Sequence, residues 1–260
     1  LFKASRPGYV LVGYDAAALE ARVEAHYCYP YHGGEEYADT LINADVHMRT
    51  VEMVYFDKVG HLYGTDRWNK DDPEITPWRS AAKAIFYGAG YGAQSKKIAS
   101  MLGCSIDEAQ EVLDKYWEAA KPKSIFRDKI TQYWETAGQK LFFNGTATTV
   151  IYTRHKHALV NGSFQSCGAI AIDYAALYMD KWLGGLVLDN QKSPCYRYRD
   201  EFVYRVAEMH DEELFEVPEH LAEEIGEMGV RSIEQAGHML KMRVPLTGEY
   251  KIGSSWAAVH

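Results

Sequence analysis

Cysteine is scarce in this 260-residue chain, with four in all. Cys28, Cys104, Cys167 and Cys195 lie far apart and form no Cys-x-x-Cys pair, which argues against a disulfide-stapled scaffold and reads as reduced intracellular thiols. Long apolar runs are missing too: nothing approaches a membrane span, and the start has no signal-peptide pattern. No membrane partner is expected, and the expected location is cytoplasmic. There is no internal repeat and no low-complexity stretch. Positive charge is in deficit, with 28 Lys and Arg against 36 Asp and Glu and a formal net charge of -8. That deficit argues mildly against a large phosphate-binding surface, although a cleft can still gather cations locally. The first residue is Leu rather than Met, so the chain is expected to be a fragment or a processed piece of something longer.

What is present is ordinary for a globular protein, 47% hydrophobic and 25% charged, and long enough for one large domain or two small ones. The chain is organised around residues 76–88. Thr76 is placed to cap a helix and Pro77 to occupy its first position, where a missing N–H costs nothing. Arg79, Lys83 and Tyr87 recur at i, i+4 and i+8 and so share one face, while Ala81, Ala82 and Ala84 add helix propensity with little bulk. Gly88, Gly90 and Gly92, with Tyr91 among them, are expected to break the helix. Two cations and a phenol on one face, ending in a flexible aromatic turn, suit a triphosphate with a sugar and base beyond it. Taken alone, the helix fits a solvated basic edge with a core tyrosine better; the rest of the chain shifts that balance.

Residues 9–14 are a short apolar run that predicts a buried strand closed by Asp15, and the alanine-rich stretch after it predicts a helix. Residues 202–209 and 213–217 predict two strands joined at His210-Asp211-Glu212, with Asp211 at the hairpin tip. A carboxylate at the end of a buried strand is costly unless it is paired, exposed or holding a metal. If these strands are neighbours, Asp15 and Asp211 converge, and two like charges need a cation between them. Magnesium suits, because it takes carboxylate oxygens and keeps sites for water and substrate phosphates. A pair of such ions ~3.5–4 Å apart serves phosphoryl transfer. Each aspartate taken separately reads as a turn residue; the signal lies in the set.

Asp45-Val46-His47 opens a predicted helix, in which His47 alone reads as a surface or packing histidine. Residues 60–77 are expected to be a long connection. Ser105 and Glu108 form a capping-box pattern ahead of Ala109, Val112, Leu113, Tyr116 and Trp117 at helical spacing, and residues 35–140 as a whole read as an inserted helical subdomain. Asn144-Gly145 signals a hairpin turn, followed by the cationic run Arg154, His155, Lys156, His157. Residues 161–182 predict a long helix with Asn161 and Gln165 near its start, which either reach a groove or simply make a polar first turn. Pro218 is expected to start a last amphipathic helix, and residues 244–260 a strand and tail anchored by Trp256.

Together these motifs resemble the palm and fingers of the family A DNA polymerases, most closely their bacteriophage replicative branch. The stretch from Asp15 through Glu20 to Arg22 is similar to the first polymerase motif. Arg79-x3-Lys83-x3-Tyr87-x3-Tyr91-Gly92 matches the second, and His210-Asp211-Glu212 the third. Asp45-Val46-His47 resembles the fingers element that touches incoming phosphates, and Asn161-x3-Gln165 the primer-template minor-groove element. The resemblance runs from about residue 2 to residue 260. It implies an α+β fold, a polymerase palm with a small antiparallel sheet and an inserted, mainly helical fingers subdomain. The implied division is palm 1–34, fingers 35–140 and palm 141–260, with thumb and exonuclease domains absent.

By the same resemblance the chain would add deoxynucleotides to a primer 3′-end. Asp15 and Asp211, with the backbone carbonyl of Ala16, would bind two Mg2+ ions, and Glu212 would lie beside them as an auxiliary acid. His47, Arg79 and Lys83 would clamp the triphosphate, with Lys83 also the proton donor to pyrophosphate. Tyr87 would pack on the incoming sugar and base, Tyr91 would gate the template position, and Glu20 would exclude a ribose 2′-hydroxyl. His210 would approach the primer terminus. His157, Asn161 and Gln165 would read minor-groove acceptors, His157 standing where bacterial repair enzymes have arginine. The implied partners are primer-template DNA, dNTPs, and a separate polypeptide or N-terminal region carrying the thumb and, where present, an exonuclease. The implied location is cytoplasmic, in a bacterial host cell if the source is viral. Two rival readings differ in class. A single-subunit RNA polymerase shares the two aspartates and a similar helix, but Glu20 argues against it, since that class needs a small residue there. A non-autonomous subunit, inactive without a thumb-bearing partner, is compatible with the intact catalytic set.

Overall fold

The computed structural model describes residues 2–142, 150–153 and 155–260. In chain order its elements are β1 (Tyr9–Ala16), α1 (Leu19–Cys28), α2 (Gly34–Asn43), α3 (Val46–Val54), α4 (Phe56–Val59), α5 (Thr76–Gly90), α6 (Ser95–Leu102), α7 (Ile106–Ala119), α8 (Lys121–Thr136), β2 (Lys140–Phe142), β3 (Val150–Tyr152), α9 (Leu159–Trp182), β4 (Leu186–Leu188), β5 (Pro194–Tyr198), β6 (Glu201–Met209), β7 (Glu212–Pro218), α10 (Ala222–Met239), β8 (Gly248–Gly253) and α11 (Trp256–Val259). The fold is α+β, and it divides into two compact units. One comprises Leu1–Arg22 with Cys167–His260, the other Val23–Ser166.

The first unit is built on a six-stranded antiparallel sheet of order β4-β5-β6-β7-β1-β8. β1 takes an interior place between β7 and the edge strand β8, and its run of Val10, Leu11, Val12 and Tyr14 suits a strand covered on both faces. Leu11 packs with Leu214 and Val259 on one face. On the other, Tyr14 lies over α10 where Gly229 leaves room for its ring, stacked 5.9 Å from Phe215. The strand runs through Asp15 to Ala16, so Asp15 lies within the ladder, opposite Glu212 of β7 and Glu249 of β8. β7 extends to Pro218, and a short 3-10 turn separates it from α10. Pro218 therefore ends a strand instead of starting a helix, because its ring is tolerated at a strand end.

The second unit is helical around a core that includes Val51, Val54, Ile75, Ala82, Ile85, Ile98, Leu113 and Tyr116. Asp45 caps α3, and Ser105 with Glu108 forms a capping box on α7. Two local expectations fail at α5. Thr76 is not its cap: the hydroxyl donates back to the Asp72 carbonyl at 2.9 Å, because residues 72–76 already turn helically ahead of it. The helix also runs through Gly88 to Gly90, since a buried Gly88 packed against Ile98 compensates for weak propensity. β2 and β3 pair antiparallel from Lys140 opposite Tyr152; the expected Asn144-Gly145 turn and Arg154 lie outside the described residues.

Candidate functional site

In the sheet unit the carboxylates are gathered by register. β7 and β8, distant from β1 in sequence but flanking it in the sheet, bring Glu212 and Glu249 opposite Asp15, and directly opposed residues share a face. The hairpin between β6 and β7 is closed by His210 and Asp211, with His210 in the left-handed region at φ 57°. Such a conformation is uncommon for a residue with a side chain. The Ala16 N–H donates to the Asp211 carbonyl at 3.2 Å, tying the hairpin tip to the end of β1. The following turn is stapled from two sides: Arg22 Nε donates to the Ala17 carbonyl at 2.9 Å and Arg22 Nη1 to the Pro245 carbonyl at 2.7 Å. Glu20 stands exposed in the first turn of α1.

This crowding has an electrostatic signature. Burial raises the Asp15 carboxyl above its ordinary range, and the charges of Glu249, Asp211 and Glu212 raise it further, with Lys251 opposing. Glu212 is buried and engaged: it accepts from Trp256 Nε1 at 3.2 Å and lies 2.8 Å from His260 Nδ1. The next residue, Glu213, turns to the opposite face, where the Tyr14 hydroxyl donates to it and Arg205 lies 3.6 Å away. Burial pushes Glu213 up, and Arg205 opposes that shift. Glu249 and the Glu213–Arg205 support escape sequence reasoning, because neither sits in a local pattern that reveals its strand partner.

The donor set suits a hard divalent cation. Two carboxylates, an adjacent main-chain carbonyl at Ala16 and a carboxyl at Asp15 held above its ordinary range describe a site whose repulsion a cation would relieve. Among the described residues no group of three or more His, Cys, Asp or Glu is arranged to hold an ion alone.

In the helical unit the candidate residues include two cations, Arg79 and Lys83, and Arg79 is held from behind. Asp45 accepts from the N–H groups of His47 at 3.0 Å and Met48 at 3.1 Å. Its other oxygen accepts from Arg79 Nε at 3.0 Å and Nη2 at 2.8 Å, so one carboxylate both caps α3 and aims the α5 guanidinium. Burial opposes the Asp45 charge, but these hydrogen bonds, led by the one from Arg79, hold its carboxyl below the usual range. His47 packs edge-on to Phe86, with centroids 5.5 Å apart, and lies 5.7 Å from the Tyr87 ring. Burial lowers the His47 imidazole, and the charges of Arg79 and Lys83 lower it further against Asp45; its buried Nδ1 has no hydrogen-bond partner. Lys83, Tyr87 and Tyr91 are exposed along α5 and the turn beyond it.

Past α5, Gly92 adopts φ +77°, and a Cβ there would lie 2.3 Å from the His157 carbonyl, so only glycine serves. This brings the turn bearing Tyr91 against the segment bearing His157. His157 is exposed in a 3-10 turn, its ring stacked 5.3 Å from His155. Asn161 and Gln165 follow at i and i+4 on α9, Asn161 half-buried and Gln165 exposed. The candidates fall in two groups: Asp15, Ala16, Glu20, His210, Asp211 and Glu212 belong to the first unit, and His47, Arg79, Lys83, Tyr87, Tyr91, His157, Asn161 and Gln165 to the second.

Comparison with known proteins gives a consistent result. The sequence profile described as DNA polymerase family A matches residues 1–258. The chain is similar to the DNA-directed DNA polymerase of Escherichia phage Phieco32, 25% identical over 265 residues that cover 96% of this chain and 40% of that protein. It is similar to the DNA-directed DNA polymerase of Escherichia phage T7, 26% identical over 264 residues covering 97% of this chain and 34% of that protein. Among solved structures, the POL domain of Pol1 from M. smegmatis, in complex with DNA primer-template and dNTP, matches with a TM-score of 0.73. That match is 21% identical and covers 99% of this chain and 42% of the other, a likeness that speaks for the fold. The chain therefore spans two-fifths or less of the two phage relatives. Among the described residues no helix is long and apolar enough to cross a membrane.

Proposed function

We propose a function from one premise: the chain belongs to DNA polymerase family A. It is the catalytic portion of a template-directed DNA polymerase, adding deoxynucleotides to a primer 3′-end. Residues 1–34 and 141–260, which include the sheet unit, are its palm, and residues 35–140 of the helical unit are its fingers. The duplex-gripping thumb comes from another polypeptide or from a further stretch of the same one. The observation that carries the reading is the meeting of Asp15 with the Asp211 hairpin through the Ala16 N–H to Asp211 carbonyl bond.

Asp15, Asp211 and the Ala16 carbonyl would hold two magnesium ions. When bound, such ions stabilise charge on the attacking and leaving oxygens of a phosphoryl transfer. Arg79 and Lys83 bind the triphosphate as cations, and Lys83 gives a proton to the departing pyrophosphate. His47 joins them in clamping the triphosphate. Tyr87 packs on the sugar and Tyr91 gates the template position. Glu20 blocks the 2′ position of the sugar. His210 approaches the primer terminus, and His157, Asn161 and Gln165 follow the minor groove, whose acceptors every correct pair presents. Glu212, held by Trp256 and His260, completes the acidic surround.

The test is primer extension with deoxy- and ribonucleotides, using the chain with and without the remaining polymerase regions. Deoxynucleotide addition is expected, with the complete assembly far more salt-tolerant because it makes more phosphate contacts. Glu20→Ala should admit ribonucleotides and lower the overall rate. Equal sugar discrimination in Glu20→Ala and parent would remove the steric-gate role, and preferential ribonucleotide use by the parent would overturn the DNA polymerase reading.

A further inference from the structure

The helical unit hides an ion pair that the proposed chemistry does not use. Lys123, in the first turn of α8, is 1% exposed, and Glu24 on α1 is 3% exposed. The ammonium lies 2.7 Å from Glu24 Oε2 and 3.4 Å from the Tyr116 hydroxyl on α7. The Tyr37 hydroxyl of α2 donates to the other oxygen of Glu24. Four helices therefore converge on one buried pair. A hydrophobic pair of similar volume would commonly fold at least as well, so the retained charges invite a geometric explanation.

The geometry points under α5. Lys123 Nζ lies 4.8 Å from the Phe86 ring centroid and 5.8 Å from that of Phe164. A Cβ built on Gly90 would stand 3.4 Å from the same nitrogen. The cation thus sits beneath the last turn of α5, where a helix favours positive charge, and under a ring face, which also attracts it. Phe86 also meets His47 edge-on, and it lies 5.5 Å from Tyr87 at 89°. A continuous line of contacts runs from Glu24 through Lys123 and Phe86 to the two rings assigned to the nucleotide.

We propose that Lys123, anchored by Glu24, is a positioning residue that seats the C-terminal half of α5 and so sets where Tyr87 and His47 meet the incoming nucleotide. This rests on the nucleotide-binding reading of α5 given above. Lys123→Met alone would leave a buried unpaired carboxylate and is expected to unfold the unit. The informative variant is Glu24→Gln with Lys123→Met, which removes both charges and keeps an acceptor for Tyr37. In the complete polymerase it should melt near the parent temperature and hold primer-template equally well. Its KM for dNTP should rise roughly tenfold, a displacement effect on a bound substrate, with kcat within about twofold. Amide hydrogen exchange across residues 86–91 should accelerate while exchange in α10 stays unchanged. A folded double variant with the parent KM and parent exchange would overturn the proposal, as would a parallel loss in kcat, KM and DNA binding. Failure of the parent itself to extend a primer would instead count against the polymerase reading, and the exchange comparison would still decide whether the pair seats α5.

Discussion

The two units solve opposite electrostatic problems. In the sheet unit, Asp15 faces Glu212 and Glu249 across the ladder and adjoins Asp211, and burial together with these charges pushes its carboxyl upward. In the helical unit, the principal charges already have partners: Arg79 with Asp45, and Lys123 with Glu24. The sheet unit crowds carboxylates whose repulsion a cation would relieve, whereas the helical unit sets Arg79 and Lys123 against carboxylates and leaves Lys83 exposed. Strand register crowds like charges that are distant in sequence, while helical spacing lines up cations that are close in sequence.

The strongest way to break the comparison is to remove one charge from the crowded end. Asp15→Asn or Asp211→Asn should lower nucleotide addition by roughly a thousandfold or more, the several kcal/mol expected of lost metal-assisted charge stabilisation, and both proteins should remain folded. Substantial extension by either variant with any divalent ion would separate the carboxylates from the chemistry.

A smaller effect sharpens the helical side. With Tyr at position 87, the phenol can occupy the space left by a missing 3′-hydroxyl and satisfy the polar contact there. Dideoxynucleotides should then be used nearly as well as deoxynucleotides. Tyr87→Phe should restore discrimination by about 10- to 100-fold, in line with the ~1–3 kcal/mol of an unmade contact in a desolvated site. The ratio of kcat/KM for the two substrates decides it, and an unchanged ratio would mean that Tyr87 does not face the sugar.

The smallest effect concerns balance itself. Asp45→Asn keeps a capping side chain but removes the charge that holds Arg79, so at pH 7 it should lower Tm by ~2–4 °C, as about 1 kcal/mol does in a chain of this size. The folded Asp45 carboxyl is depressed, so its contribution is fully present above the ordinary carboxylate range and is lost as pH falls through the lower folded value. The difference between parent and variant should therefore shrink in acid. A difference that stays constant down to pH 2 would show that the charge on Asp45 is not what matters.

How much of this was legible in the chain follows the same division. Arg79, Lys83 and Tyr87 could be placed on one face from spacing alone, because a helix is a local structure. Asp15 and Asp211 could be suspected from strand ends, and the hairpin with Asp211 at its tip matches that expectation. Their neighbour Glu249 could not, because its place depends on β8 returning to pair with β1 from the far end of the chain. Thr76 read as a cap because capping statistics do not register that residues 72–76 already turn helically. Lys123 is the plainest limit. It lies in the polar string Lys121-Pro122-Lys123-Ser124, which reads as solvated surface, and only the packing of α1, α2, α7 and α8 reveals a buried cation.

The division of labour between the units is most directly tested by one grid of single-nucleotide addition rates, varying magnesium and dNTP independently for parent, Asp211→Glu and Arg79→Ala. Asp211→Glu should shift the magnesium concentration for half-maximal rate while leaving the nucleotide KM near that of the parent. Arg79→Ala should raise the nucleotide KM with the parent's magnesium dependence. The opposite pattern, or the same displacement along both axes by both variants, would contradict a metal-binding sheet unit and a triphosphate-binding helical unit.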